Sequence, residues 1–354
     1  MDQFRIPRFR PIPRFRPLRS APHAGATRVV AAPPETMRAM VFDAPGAPDV
    51  LHEATVPVPS PVLSELLVRV VAAGVNPIDA KTRSGRGAYA AIDRHPSTLG
   101  YDFSGVVVSS PYEAHPLPPG TEVFGMVPFP RSGGTYGEYV VVPSLSVARK
   151  PTSLSHVEAA GVPLAALTAW GLVVETAHAH EGQRVLIHAG SGGVGHFAVQ
   201  LAAYFGAHVT ATGSERNLPW LRELGAAAAI DYATTRFEDL VDGVDVVIDL
   251  VGNAHDDTGT RSLTVLRPGG LYIMVPTGSW PGYAAAAEAA GVRSTSYKVT
   301  PDGGVLATLG RLLDSGAIQV FVDRVYDLSE AATAHDEIER GHSRGKIVLR
   351  VGDA

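Results

Sequence analysis

Four glycines lie within the six residues 190–195, between an apolar run and a helix-forming stretch. The preceding apolar residues 185–187 are typical of a parallel strand that is covered on both faces. Glycine lets the backbone turn sharply and approach a phosphate without a Cβ in the way, and the N-terminus of the following helix favours an anion. The segment predicts a loop that binds a dinucleotide, with a glycine-rich loop without a ligand as the alternative. The predicted binding residues are Gly190, Ser191, Gly192, Gly193 and Val194.

The residues after the second predicted strand of this unit decide which dinucleotide fits. A site that prefers NAD would place Asp or Glu there to bind the ribose hydroxyls. This chain instead has Gly213, which leaves space, Ser214, which offers a hydroxyl, and Arg216, which can pair with a 2′-phosphate. Glu215 argues against NADPH, because a carboxylate that turned toward the cofactor would repel that phosphate. The segment favours NADPH over NADH, unless these are solvated turn residues.

Composition limits the class of protein. The 354 residues suggest two domains, and a hydrophobic fraction of 45% supports a large core. No run of about 18 apolar residues predicts a membrane span. The chain has no cysteine, which excludes disulfides, thiolate metal sites and a cysteine nucleophile, and which fits a cytoplasmic protein.

Charge is unevenly distributed along the chain. Residues 1–30 contain seven arginines and one acid, so they carry +6, and the remainder carries −11 because the whole chain carries −5. Residues 1–35 are predicted to form a disordered, basic, Pro/Arg-rich tail. The alternatives are an arm that contacts an anionic surface or nucleic acid, and a targeting segment. Nucleic acid is an unlikely partner of the acidic body.

Periodicity divides the rest of the chain into parts. Short apolar segments separated by proline-rich turns such as 56–61 predict a compact β barrel-type domain over residues 36–159. Helical spacing follows at 158–179, and strands and helices then alternate, which predicts a doubly wound parallel sheet over residues 160–300. Residues 301–354 are predicted to return to the first domain. The fold class is α/β. Strands are predicted at 38–42, 66–71, 104–109, 122–127, 138–142, 184–188, 208–212, 229–230, 244–250, 271–275, 318–325 and 346–351.

Five segments occur in the order of a known family: residues 73–81, 99–106, 163–170, the glycine-rich loop and residues 341–349. With them the chain resembles the medium-chain dehydrogenase/reductase superfamily over residues 37–352. It looks most like the zinc-free quinone oxidoreductase branch, which includes zeta-crystallin-like enzymes. The resemblance implies a GroES-like catalytic domain and a Rossmann domain that binds NADP.

The resemblance also implies that zinc is absent. Zinc alcohol dehydrogenases, which are similar in fold, place Cys near position 76 and His-Glu near 101–102. This chain has Asn76 and Tyr101-Asp102 there, and zinc needs a preset cluster of thiolate, imidazole or carboxylate ligands. His178 and His180 are two residues apart and cannot share a helix face. No metal site is expected.

Further cofactor-binding residues are carried over from the family, each with a structural alternative. Thr168 would lie beside the nicotinamide, or its hydroxyl would bond its own helix. Asp249 ends a strand where ligand is expected and Val251 follows it, although Asp249 would equally brace the turn. Lys346 would lie near the cofactor, or be an exposed strand lysine. The remaining candidates are Val275, Thr277 and Tyr232, the last of which could be a packing residue.

The reaction that the resemblance implies is reduction of a quinone or an α,β-unsaturated carbonyl compound by NADPH. Hydride addition places negative charge on the carbonyl oxygen, and without zinc a hydrogen-bond donor must stabilise it. Asn76 is the leading candidate, followed by Tyr89 and Tyr101. Asn76 could instead hold its own turn before Pro77.

Two other functions share the same motifs. One is an enoyl reductase that tailors a polyketide or other secondary metabolite. The other is a non-catalytic scaffold that binds NADPH and uses the basic tail to bind nucleic acid. The family often forms dimers through the last Rossmann strand, for which Val292–Val299 is the expected segment because an unpaired edge favours association.

Overall fold

The computed structural model describes residues 32–129, 133–253 and 255–353. The predicted basic tail falls on residues 1–31, outside the described residues, and on the few residues before the first strand.

Two antiparallel sheets form most of the first domain. Strand β3 is the centre of the larger sheet, where it pairs with β5, β7 and β16, and β1 is the centre of a small sheet between β2 and β4. Three helices, α1 to α3, lie between or after these strands along the chain. The elements are β1 (Thr36–Phe42), β2 (His52–Pro57), β3 (Glu65–Val75), α1 (Pro77–Arg83), β4 (Ser97–Thr98), β5 (Asp102–Ser109), β6 (Glu122–Met126), β7 (Tyr139–Pro143), β8 (Val147–Arg149), α2 (His156–Ala160) and α3 (Pro163–Trp170).

A six-stranded parallel sheet forms the second domain, in the order β11-β10-β9-β12-β13-β14. Its central strand β9 is apolar and buried at residues 185–187, as expected for a strand with helices on both faces. The elements are β9 (Arg184–Ile187), α4 (Gly195–Tyr204), β10 (His208–Gly213), α5 (Leu218–Glu223), β11 (Ala228–Asp231), β12 (Val244–Asp249), α6 (Thr258–Thr264), β13 (Leu266–Met274), α7 (Tyr283–Ala289) and β14 (Arg293–Ser296).

The last part of the chain adds two strands to the first domain. These elements are α8 (Gly303–Asp314), β15 (Val322–Asp327), α9 (Ala331–Glu339) and β16 (Lys346–Arg350). Strand β16 pairs antiparallel with β3, with Ile347 opposite Val75, and β15 pairs parallel with β16. This register brings Lys346 beside the turn that follows β3, which is where the functional site lies.

Some elements differ from the prediction, each for a local reason. The helical stretch 158–179 is divided into α2, α3 and a π-helical turn at Gly171–Thr176, because Pro163 lacks an N–H and begins a new helix. Strand β15 starts at Val322, because the backbone of Gln319 bonds instead with the side-chain amide of Gln200 (2.8 and 2.9 Å). Strand β2 was not predicted, because its proline suggested a turn; it is an edge strand, where proline is tolerated.

None of the helices in the described part of the chain has the length and apolar character needed to cross a membrane.

Candidate functional site

A cleft of about 560 Å³ lies between the two domains. Its walls come from the turn after β3, the start of α3, the glycine-rich loop, the ends of β12 and β13, and the segment before β16. Loops at the carboxyl ends of parallel strands are where such sheets bind ligand. The structure therefore brings nine of the predicted site residues to one cavity: Asn76, Thr168, Gly192, Gly193, Val194, Val251, Val275, Thr277 and Lys346.

The glycine-rich loop is shaped by close backbone contacts. A Cβ on Gly195 would lie 2.1 Å from the carbonyl oxygen of Ala189, and one on Gly190 would lie 2.9 Å from the Cβ of Ala211. Helix α4 begins at Gly195, and its N-terminus faces the loop. The amides of His196 and Ala198 donate to the carbonyl oxygens of Gly192 and Val194, at 3.0 Å each. A bare backbone beside a helix N-terminus fits the pyrophosphate of a dinucleotide.

Asn217 joins this loop to the end of β10. Its Nδ2 donates to the hydroxyls of Ser191 and Ser214, at 3.1 Å each. Gly190 and Ser191 thus lie at the back of the loop and outside the lining of the cleft. Gly213 is packed under the side chain of Leu221, which a Cβ would approach to 2.8 Å.

Arg216 reaches the segment that precedes β16. Its Nη2 donates to the carbonyl oxygen of His342 at 2.7 Å, and its side chain is exposed. Nearby, the Arg344 guanidinium lies 4.1 Å from the ring centroid of Trp220, a cation–π contact. Ser214 and Arg216 therefore stand beside the cleft, and Tyr232 is farther out, 57% exposed.

A buried hydrogen-bonded network forms the floor of the cleft. Lys346 is only 3% exposed, and its Nζ donates to the carbonyl oxygen of Val75 at 3.0 Å and to Oδ1 of Asn76. The Asn76 Nδ2 donates to Oδ2 of Asp102 at 2.9 Å, and that oxygen lies 3.6 Å from Lys346 Nζ. Lys346 is thus no exposed strand lysine. The amide of Asn76 has a second N–H beyond the one bonded to Asp102, and Asn76 is one of the residues that line the cleft, although it is only 1% exposed.

Burial and pairing act in opposite directions on the charged groups of this network. Burial raises the pKa of Asp102, and Lys346 opposes that rise. Burial lowers the pKa of Lys346, while Asp102 and Asp79 act in the opposite direction. Asp79 is fully buried below the cleft, and its Oδ2 accepts from the backbone N–H of Asn76 at 2.8 Å. Burial raises the pKa of Asp79 to about 7.

Two further polar side chains, those of Thr168 and Asp249, stabilise the backbone around them through hydrogen bonds. The Thr168 hydroxyl donates to the carbonyl oxygen of Leu164 at 2.6 Å. This is the bond within its own helix that the sequence offered as the alternative to a cofactor contact. The hydroxyl oxygen of Thr168 can still accept a hydrogen bond. Asp249 accepts from the N–H groups of Val251 (2.8 Å) and Gly252 (2.7 Å). Asp249 therefore fixes the turn that presents Val251 to the cleft.

The two tyrosines proposed as donors lie away from the cleft lining. Tyr89 packs on the ring of His95, with 5.9 Å between ring centroids. Tyr101 is 1% exposed and packs edge-on against Phe129 at 5.4 Å. The structure therefore brings Asn76, and neither of these tyrosines, to the cleft wall, and the catalytic roles remain predictions.

Sequence reasoning missed several residues of the cleft, and Lys81, Tyr297 and Ser343 are among them. Lys81 and Ser343 lie within segments that carried the family resemblance but received no role, and Tyr297 lies in the segment expected to form the dimer. Ser343 has a buried hydroxyl without a partner among the described residues. No spacing in the sequence marked Lys81, because it follows Asn76 by five residues and residues five apart on a helix do not share a face.

No group of three or more His, Cys, Asp or Glu suited to a metal ion occurs within residues 32–129, 133–253 and 255–353. The positions equivalent to zinc ligands in similar dehydrogenases are Asn76, Tyr101 and Asp102, and Asn76 and Asp102 bond each other.

Comparison with known proteins gives consistent matches. The family model described as an alcohol dehydrogenase GroES-like domain matches residues 63–152, and that described as a zinc-binding dehydrogenase matches residues 224–349. The 2-methylene-furan-3-one reductase of Solanum lycopersicum is 36% identical over 330 residues, with 89% of this chain and 79% of that protein covered. The chloroplastic NADPH-dependent alkenal/one oxidoreductase of Arabidopsis thaliana is 35% identical over 329 residues, with 89% and 80% covered.

A solved structure agrees with these relatives. The quinone oxidoreductase from Coxiella burnetii superposes with a TM-score of 0.85 at 38% identity, covering 89% of this chain and 99% of that one. Its fold and the two matching family models correspond to the two domains described above, and the relative from Arabidopsis thaliana is NADPH-dependent by name. The chain belongs to the medium-chain dehydrogenase/reductase superfamily and is a nicotinamide-dependent oxidoreductase.

Proposed function

We propose that this protein is a zinc-independent, NADPH-dependent reductase of quinones or α,β-unsaturated carbonyl compounds. The observation that carries the proposal is the cleft itself, where the glycine-rich loop, the ends of β12 and β13, and Asn76 line one cavity. When bound, the nicotinamide would supply the hydride. The names of the relatives support the same reaction class.

Different residues of the cleft would bind the cofactor, confine its nicotinamide ring and orient the amide of Asn76. The loop residues Gly192, Gly193 and Val194 would hold the pyrophosphate, and Val251 and Val275 would confine the nicotinamide ring. Apolar walls exclude water from the reacting atoms, which strengthens each hydrogen bond within the cleft. The network with Lys346 and Asp102 holds the Asn76 amide in one orientation.

Replacing Asn76 with alanine is expected to lower kcat by about 10²–10³-fold, as observed when one donor to a developing oxyanion is removed. The second N–H of its amide would bond the carbonyl oxygen as negative charge develops there. The measurement is steady-state kinetics with a neutral enone, together with the NADPH dissociation constant, which should change little. An unchanged kcat would show that Asn76 only holds its turn.

Replacing Arg216 with glutamine is expected to weaken NADPH binding about tenfold and NADH binding hardly at all, because a charge-assisted bond to the 2′-phosphate would be lost. Arg216 projects from the residues after β10, which Asn217 ties to the loop. The test is the ratio of the two dissociation constants. Arg222→Gln, on the exposed side of α5, is the matched control, and an equal ratio in both variants would contradict the role of Arg216.

The activity itself is tested by following NADPH and NADH oxidation with a benzoquinone, a naphthoquinone, a long-chain enone and an enoyl thioester. Turnover of the quinones or the enone with NADPH supports the proposal. Turnover of the enoyl thioester alone would favour the enoyl reductase alternative, which uses the same site. NADPH binding without turnover of any compound would favour the scaffold function.

Two further features remain proposals. Strand β14 is the edge strand of the parallel sheet and lies within Val292–Val299, which supports a homodimer through that edge. A cytoplasmic location is the second proposal: the absence of cysteine fits it, whereas relatives include mitochondrial and chloroplastic proteins.

A further inference from the structure

A second cavity of about 670 Å³ continues from the cleft. The two share Pro77, Lys81, Val251 and Thr277, so that a ligand in the cleft can extend into the second cavity. Its outer wall contains Arg86 from the loop after α1. We refer to this second cavity as the outer chamber.

The outer chamber carries an excess of positive charge. Lys81 and Arg86 both line it, and the positive charge of Arg86 adds to the effect of burial in lowering the pKa of Lys81. Of the described residues in the lining, Glu339 alone is acidic, and the buried Arg83 pairs with it at 2.7 Å. Among the ion pairs of the described residues, none involves Lys81 or Arg86.

Stabilisation of α1 does not by itself account for this arrangement. Cations near a helix C-terminus are favourable when they are exposed, and Arg86 is exposed. Lys81 is partly buried in the wall of the chamber, and burial, reinforced by Arg86, lowers its pKa. Lys81 is a partly buried cation without an ion pair among the described residues, which is a cost to the free protein that a bound anion offsets, and the exposed Arg86 in the same lining adds to the attraction for that anion.

We propose that the outer chamber binds a carboxylate on the substrate, and that this protein acts on α,β-unsaturated ketones that carry one. The inference rests on the proposed function and names its substrate class. Arg86 presents a planar fork suited to two parallel bonds with a carboxylate, and Lys81 adds a second charge between that carboxylate and the reacting alkene. The enone lies in the cleft and the carboxylate extends outward.

The test is equilibrium binding, which does not depend on turnover. The full-length protein is saturated with NADP⁺ and titrated with 3-benzoylpropionate and with its neutral methyl ester, by isothermal titration calorimetry. We expect the carboxylate to bind at least about tenfold more tightly than the ester, and Arg86→Gln to reduce that ratio about tenfold. Arg311→Gln, an exposed arginine on α8 remote from both cavities, is the matched control and should leave the ratio unchanged.

Two results would overturn the inference: equal or undetectable binding of the carboxylate by the unaltered protein, or a ratio that Arg86→Gln changes no more than Arg311→Gln. Reduction of methyl 3-benzoylacrylate, the neutral unsaturated ester, by NADPH separately tests the proposed function. A protein that reduces the ester but shows no preference for the carboxylate keeps its proposed function and loses this inference.

Discussion

Replacing Gly195 with alanine is expected to weaken NADPH binding by about a hundredfold or more, equivalent to about 2.7 kcal/mol. The added Cβ would lie 2.1 Å from the Ala189 carbonyl oxygen and 2.8 Å from backbone atoms of Gly190. These are main-chain atoms of the same loop, so that the loop must move rather than a side chain. Because the loop and the start of α4 form the proposed pyrophosphate site, its displacement removes several amide contacts together. Fluorescence titration with NADPH is the measurement.

Gly310→Ala is the matched control for this experiment. Gly310 lies within α8, where an added Cβ would come no closer than 3.6 Å to its neighbours. Alanine is also the better helix former, so this variant should fold and bind NADPH normally. A dissociation constant for the Gly195→Ala variant within about twofold of the unaltered protein would contradict the assignment of the loop.

Replacing Lys346 with methionine is expected to lower the free energy of unfolding by about 3–5 kcal/mol, as is typical when one partner of a buried ion pair is removed. Methionine keeps the length and apolar volume of the side chain but leaves Asp102 without its cation. Urea denaturation in the absence of cofactor is the measurement. The double variant Lys346→Met/Asp102→Asn should recover part of the loss, because both charges are then gone.

The loss should depend on pH in a defined direction. Burial already raises the pKa of Asp102 in the folded protein, and removal of Lys346 raises it further. The folded state of the variant then holds a proton that the unfolded state releases, so its stability falls as pH rises above the ordinary carboxyl pKa. The deficit should therefore be larger at pH 8 than at pH 5. A deficit below about 1 kcal/mol at pH 8 would show that Lys346 and Asp102 are not coupled as the distances indicate.

The parts of the site that sequence predicted are local ones. The strand, loop and helix around Gly190–Gly195 are contiguous, and the motif already encodes a glycine at Gly195, where a Cβ would meet the backbone of the same loop. Asp249 and Thr168 likewise bond groups within four residues, so that both structural alternatives could be named in advance. These interactions depend on spacing along one segment, which is what a sequence displays directly.

The contacts that could not be predicted from the sequence join residues that are far apart along the chain. Asn76 and Lys346 are 270 residues apart, and they meet because β16 pairs antiparallel with β3 in one particular register. No periodicity in either strand specifies that register, and a lysine at the start of a strand is ordinarily exposed. The same reason explains why Lys81 received no role, since its position in the wall depends on how α1 faces the second domain.

The contribution of β16 to the cleft also affects the order in which the protein can be assembled during synthesis. Asn76 and Asp102 leave the ribosome long before Lys346, and the Ser191 carbonyl oxygen accepts from Gly345, which is just as late. Until β16 joins β3, the first domain lacks the cation that balances its buried carboxylate, and the glycine-rich loop lacks one of its supports. Domains usually fold in order of synthesis. In this protein, the parts of the cleft that the first and second domains supply are both incomplete until β16 has been synthesised.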